Sequence, residues 1–282
     1  LVWHQITSQA ANNNLLNAIS NTKGVNCISP TWFSIKDNNG SLYSLASETY
    51  VKHAHDNGLE VWALIDNFST SANTLTFLSN RQARTNIIQQ LMAQADAVGF
   101  DGVNLDFESI TEEQAPHYVQ FIRELSVACR QKGLVFSIDV PVPTYTAYYN
   151  RTEMGIVADY VIIMGYDEHY GGGDVAGSVA SIDFVRNGII DTLEEVPANK
   201  VINAIPFYTR VWREPYGGGN LTSDVLGMNG CSTYIAEKGM DVYWDTSVGQ
   251  NVASLEGDDA LYTIWVEDEQ SIEEKMKLVP EY

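Results

Sequence analysis

The sequence holds few of the groups that would build a nucleic-acid-binding, disulfide-stapled or membrane-spanning protein. Basic residues are scarce: 16 Lys and Arg stand against 36 Asp and Glu in 282 residues, a formal net charge of −20. That field repels phosphate backbones and anionic lipid, which excludes nucleic acid as a partner and favours a neutral or cationic one. Cysteine is rarer still. Cys27, Cys129 and Cys231 lie far apart with no CxxC spacing, which argues against both a zinc site and a disulfide framework and predicts buried thiols. No apolar run reaches the length of about 18 residues that a spanning helix needs, and the opening LVWHQITSQA lacks the regions of a signal peptide, so a soluble chain or mature fragment is expected. The GGG runs at 171–173 and 217–219 have neither GxGxxG nor GxxxxGK spacing, so they read as loops and not as phosphate cradles.

What is present is a regular alternation of strand and helix patterns. β-rich runs recur at 1–6, 25–33, 60–66, 102–108, 135–141, 159–167 and 201–208. Between them lie helical stripes such as Ile88, Leu91, Met92 and Ala95 ending at Gly99, and Tyr118, Phe121, Ile122, Leu125 and Cys129 ending at Gly133. Seven strand-helix units in one chain predict an α/β fold with a parallel sheet closed as a (β/α)8 TIM barrel, one domain over 1–282. The period-two runs after VWREPYGGGN read as an antiparallel hairpin, a small insertion at roughly 213–267 after the seventh strand. SIEEKMKLVPEY then reads as the helix before an eighth strand, which is missing from the 282 residues.

The segment GFDGVNLDFESI, residues 99–110, is the most informative. Side chains alternate along a strand, so Val103, Leu105 and Phe107 point one way and Asn104, Asp106 and Glu108 the other. The apolar set faces the outer helices. The polar set then points into the barrel, where inward positions are ordinarily branched aliphatic residues. Unpaired carboxylates there would cost several kcal/mol each. Glu108 is placed last, on the face where barrel active sites are built, and suits a general acid. Asp106 lies about 6 to 7 Å deeper by strand rise, close enough to raise the pKa of Glu108 by its charge. The alternative is a carboxylate pair bridged to Lys or Arg inside the barrel.

DGVNLDFE, Asp101 to Glu108, resembles the DGxDxDxE signature of glycoside hydrolase family 18, the chitinase-like (β/α)8 barrels. IIMGYD resembles that family's MxYD motif through Met164, Tyr166 and Asp167, and IPFYTRVW its PFYGR element through Pro206, Phe207, Tyr208 and Arg210. ISPTWF, VWALIDNFS and MGYDEHY look similar to the bacterial spore-germination and cortex-fragment-lytic branch. The resemblance implies a retaining hydrolase of β-1,4 links after N-acetylglucosamine in peptidoglycan fragments or chitooligosaccharides. It implies Glu108 as the acid, Asp106 as the group that orients the substrate acetamide, and Tyr166 as donor to the acetamide carbonyl. Asp167, Tyr208, Met164 and Arg210 would line the substrate site, with no cofactor or metal, and a secreted or cell- or spore-surface monomer is expected.

The chain departs from the signature at Asn104, where the family has Asp. The expectation is that Asn104 lies in the site and donates a hydrogen bond that holds Asp106 ionised, lowering its pKa. The family's eighth strand supplies a tryptophan under the −1 sugar; Trp265 is a candidate substitute, with hairpin packing as the alternative. Trp32 and Trp212, at strand ends, are candidate sugar platforms, whereas Trp3 and Trp62 read as core. His53, His55 and His169 read as surface or loop histidines, and the glycosylation sequons at Asn39, Asn67, Asn150 and Asn220 carry no weight in a bacterial-looking chain. A non-catalytic glycan-binding relative on the same barrel is the competing function, and an endo-acting enzyme on N-glycans a third.

Overall fold

The computed structural model describes residues 1–20, 22–146 and 148–282. Seven strands follow one another along a sheet: β1 (Val2–His4), β2 (Cys27–Ile35), β3 (Glu60–Asp66), β4 (Gly102–Asp106), β5 (Val135–Pro141), β6 (Tyr160–Met164) and β7 (Val201–Ala204). The pairs from β1 to β5 are parallel and in sequence order, and a short strand at Leu42–Ser44 turns back on β2. The helices fall between them as expected: α1 (Leu15–Ile19) before β2, α2 (Glu48–Asp56) before β3, α3 (Thr74–Ser79) and α4 (Arg81–Val98) before β4, α5 (Ala115–Lys132) before β5, α6 (Arg151–Val157) before β6 and α7 (Ile182–Leu193) before β7. This order of parallel strands and crossover helices is that of a (β/α)8 barrel. The sheet path ends at β7 among the described residues.

Chain contacts divide the protein into two compact units. The first is Leu1–Pro141, Tyr145–Ile162 and Glu195–Ile202. Its core is built by the periodicities described above. The α5 stripe Tyr118, Phe121, Ile122, Leu125 and Cys129 is fully buried; on α4 the most buried positions are Ala83, Ile87 and Leu91, with Ile88 and Met92 packed at the margin. Both helices stop at a glycine in the left-handed region, Gly99 at φ 79° and Gly133 at φ 71°, a conformation that carries little cost only without a Cβ. Asn80 starts α4 by accepting from the amides of Gln82 and Ala83. At the foot of β4 a Cβ on Gly102 would lie 2.8 Å from the Trp62 ring and 2.9 Å from the Val135 carbonyl. Glycine is therefore what lets β3, β4 and β5 close up there.

The second unit is Val142–Thr144, Ile163–Glu194 and Asn203–Tyr282. It holds a five-stranded antiparallel sheet of β8 (Tyr208–Pro215), β9 (Thr222–Gly227), β10 (Asp241–Asp245), β11 (Gln250–Glu256) and β12 (Ala260–Val266), ordered β9-β8-β12-β11-β10. The sheet begins at Tyr208 and has more than the two strands of a hairpin. An isolated hairpin buries too little to persist, and here α8 (Met228–Lys238) packs Cys231 against Val211, Ala253 and Ile264. After β12, Glu267 is 1% exposed and accepts from Lys275 Nζ at 2.8 and 2.9 Å, Ser271 Oγ at 2.9 Å and Gln250 Nε2 at 2.7 Å. These contacts anchor α9 (Glu269–Met276).

Candidate active site

The alternation expected in β4 is present. Val103, Leu105 and Phe107 are fully buried, and the Phe107 ring stacks on Phe121 at 5.5 Å and Tyr118 at 6.0 Å on α5. The opposite face carries Asn104 and Asp106. The strand ends at Asp106, so Glu108 stands just beyond it, and Ser109 turns the chain sharply at φ 56°. The backbone of Glu108 is clamped by one side chain: Asn67 Oδ1 accepts from its N–H at 2.9 Å, and Asn67 Nδ2 donates to its carbonyl at 3.0 Å. Asn67 follows β3 at the same end, and its role is invisible in the sequence, where it stands out only as a sequon. An open cleft of about 820 Å³ begins at Ser109 and Ile110 and is walled by Glu112, Tyr145 and Tyr148.

Asp106 sits in a row of carboxyls. Asp66 is its register partner on β3. On the other side the β4–β5 register pairs Leu105 with Ile138, so the next residue, Asp139, stands beside Asp106. Asp66 is served by two donors, Ser34 Oγ and the Phe68 amide, both at 3.0 Å. Burial first, and then the charges of Glu108 and Asp66, push the Asp106 carboxyl up to about 7. Burial, and then Asp106 itself, raises Asp139 well above the carboxylate range, against the donors Asn104 and Trp3. Neither Asp66 nor Asp139 is among the residues that the sequence singles out. A signal for Asp139 exists there, since Ser137 and Asp139 are the inward-facing polar residues of β5.

Asn104 overturns one expectation. Its Oδ1 accepts from Trp3 Nε1 at 2.9 Å and Ser29 Oγ at 3.0 Å, and its Nδ2 donates to Ser137 Oγ at 3.1 Å and Asp139 Oδ1 at 2.8 Å. That exhausts the amide, and the residue is 0% exposed. It therefore meets no sugar, gives Asp106 no proton, and does not lower the Asp106 pKa, which moves upward. Trp3 is accordingly a hydrogen-bond donor to the site floor as well as a packing residue.

In the second unit Met164 ends β6, and Tyr166 and Asp167 follow it. Asp167 adopts φ 60°, rare for a residue with a Cβ. Tyr208, the first residue of β8, donates its hydroxyl to Asp167 Oδ1 at 2.5 Å, and its ring meets that of Tyr166 edge-on at 6.2 Å. Burial, and then this bond, raises the Tyr208 pKa, so the hydroxyl stays a donor. Arg210 Nη1 donates to Ser223 Oγ at 3.1 Å, and a Cβ on Gly171 would lie 2.8 Å from that same nitrogen.

The tryptophan platforms are corrected. Trp32 and Trp212 are each 1% exposed, with their N–H groups spent on Asn12 Oδ1 and the Gly177 carbonyl; both are core. Trp265 lines a smaller cavity of about 320 Å³ in the second unit, beside Asp174 and Glu214. Asp101, the first residue of the signature, accepts from the Val61 amide and pairs with His55 at 2.8 Å, a link from α2 to the strand ends.

Comparison with known proteins bears on the family and the fold. The uncharacterized glycosylase YvbX of Bacillus subtilis is 25% identical over 272 residues, 92% of this chain and 78% of that protein. The cortical fragment-lytic enzyme of Bacillus subtilis is 25% identical over 213 residues, 72% of this chain. The chain spans about half the length of that enzyme and of another curated relative it matches. Among solved structures, the spore cortex-lytic enzyme SleL of Bacillus cereus superposes with a TM-score of 0.85 at 18% identity, covering 99% of this chain and 68% of that one. A chitinase from Chromobacterium violaceum gives a TM-score of 0.85 at 22% identity, over 100% of this chain and 90% of that one; these two show the shared barrel fold. The model of glycosyl hydrolases family 18 matches residues 3–282, and the chain belongs to that family.

Proposed function

We propose that the chain is a retaining β-N-acetylglucosaminidase that cleaves β-1,4 links after N-acetylglucosamine in peptidoglycan fragments or chitooligosaccharides. The observation that carries the reading is the placement of Glu108 at the mouth of β4, with its backbone clamped by Asn67, two residues beyond a half-buried Asp106. Similarity to a cortical fragment-lytic enzyme supports the peptidoglycan arm, and similarity to chitinase 1 of Aphanocladium album the chitooligosaccharide arm.

In this reading Glu108 gives its proton to the glycosidic oxygen as the C1–O bond breaks, and the carbonyl oxygen of the substrate's own acetamide bonds to C1, forming an oxazolinium ion. Water then attacks C1 from the face the leaving group vacated and passes a proton to the Glu108 carboxylate, so the β configuration returns. Asp106 accepts from the acetamide N–H and offsets the positive charge that develops. The motif resemblance assigns Tyr166 to the acetamide carbonyl, and Asp167, Tyr208, Met164 and Arg210 to sugar contacts. Such a hydrolase acts outside the cell or at the spore surface, as a monomer.

The test is product release from N-acetylglucosamine oligomers and muropeptides by wild type and Glu108→Gln. A fall of about 10²- to 10⁴-fold in kcat with binding retained is expected. Equal turnover by the two proteins would remove Glu108 from the chemistry, and sugar binding without hydrolysis by wild type would leave a glycan-binding protein.

A further inference from the structure

Two buried carboxyl oxygens of the first unit have no hydrogen-bond partner among the described residues, Asp106 Oδ1 and Asp139 Oδ2; the Tyr118 hydroxyl is the third unpartnered buried oxygen there. The two carboxyls belong to neighbouring positions of paired strands. Asn104 and Ser137 are register partners whose side chains bond at 3.1 Å on the inward face, and Asp106 and Asp139 are each two residues further along, hence on that same face. The other Asp139 oxygen is fixed by Asn104 Nδ2 at 2.8 Å, which leaves Oδ2 as the free one. As carboxylates, both groups can only accept, and two adjacent buried anions would repel without relief. No Lys or Arg forms an ion pair with Asp66, Asp106 or Asp139 among the described residues, and no group of three His, Cys, Asp or Glu among them is placed to hold a metal ion.

We infer that Asp106 and Asp139 share one proton, held between Asp139 Oδ2 and Asp106 Oδ1, so that Asp139 is the positioning residue for Asp106. A single proton turns one acceptor into a donor and satisfies both orphaned oxygens at once. The groups that face the pair are consistent with proton retention. Asp66 on β3 and Glu108 beyond β4 add negative charge, Tyr118 from α5 and Tyr149 ahead of α6 are neutral, and Asn104, Ser137, Trp3 and Ser29 form the uncharged floor. Asn104 then has a definite place in the pair, because its amide holds Asp139 Oδ1 and so presents Oδ2 toward Asp106.

The consequence for turnover rests on the hydrolase reading above; the shared proton does not. Carboxyl-¹³C aspartate labelling and NMR titration of wild type, Asp139→Asn and Asp106→Asn test the pairing directly. Asparagine keeps an acceptor for Asn104 in the first variant. In wild type the Asp106 and Asp139 signals should titrate together. In Asp139→Asn the Asp106 midpoint should fall by about 1 pH unit or more, since it loses a negative neighbour and gains an amide donor, and Asp106→Asn should lower the Asp139 midpoint reciprocally. In the pH profile of kcat/KM on chitotetraose, the limb assigned to Asp106 should move with the NMR midpoint in Asp139→Asn. Unchanged midpoints in both folded variants would overturn the pairing. Absence of hydrolysis by wild type would overturn the hydrolase reading and leave the NMR result standing by itself.

Discussion

Asn104 Nδ2 donates to Asp139 Oδ1, 35 residues away on the neighbouring strand, and not to Asp106, two residues along its own. The floor of the candidate site is therefore cross-linked from strand to strand: Trp3 on β1 and Ser29 on β2 donate into Asn104, which donates into Ser137 and Asp139 on β5.

Removing that hub should cost stability. Asn104→Ala takes away the acceptor of the Ser29 hydroxyl and a donor to Asp139 in a buried place. Each buried unsatisfied group costs about 1–3 kcal/mol. The urea midpoint of the variant should fall accordingly, with the slope unchanged; an unaltered midpoint would show that the network contributes nothing net.

Stability should decline with rising pH on account of Asp106. Its folded pKa of about 7 lies above the ordinary 3.8, so between those values the folded state binds more protons than the unfolded one. The contribution is fully present below pH 3.8 and is lost as pH rises through about 7. Asp106→Asn mimics the protonated form, so the variant should gain on wild type at pH 7 and above and show a flatter decline. Chemical denaturation at pH 5, 6, 7 and 8 checks the sign.

The buried ion pair of the second unit should be intolerant of half-removal. Glu267 and Lys275 have 0% and 1% exposed side chains. Lys275→Met strands a buried carboxylate, and loss of one partner of such a pair typically costs about 3–5 kcal/mol. Calorimetry should register a lower melting temperature, and the double replacement Glu267→Leu with Lys275→Met should recover part of the loss. A single variant as stable as wild type would contradict this account of how α9 is held.

Tyr208→Phe deletes the donor that holds Asp167 in its left-handed conformation. A hydrogen bond to a charged group is worth about 1.5–3 kcal/mol, or roughly 10- to 100-fold in a rate or binding constant. If Asp167 contacts substrate as the motif implies, kcat/KM on chitooligosaccharides should drop by up to that order, and the melting temperature should fall with the lost bond. Unchanged kcat/KM would remove Asp167 from the substrate contacts.

Local pattern carried much of the fold. The seven parallel strands, the two long helices with their glycine stops and the outward trio Val103, Leu105 and Phe107 all follow from side-chain periods of 2 and 3.6, which need no knowledge of neighbours. The same rule put Asn104 and Asp106 on the opposite face. It failed for Trp32 and Trp212, because β2 runs on to Ile35 and β8 to Pro215, so neither stands at a strand end, and their N–H groups go to Asn12 and the Gly177 carbonyl.

By itself the sequence determined the fold class, the inward polar stripe and the family signature from Asp101 to Glu108, because these depend on spacing along one strand. Tertiary structure alone decided what the stripe touches. Strand register sets Asp139 beside Asp106, neighbouring strands supply the partners that saturate Asn104, and Asn67 clamps the Glu108 backbone from β3's end. Partners 33 to 101 residues apart in the chain meet only when the strands pair, and burial then sets which carboxyls keep their protons.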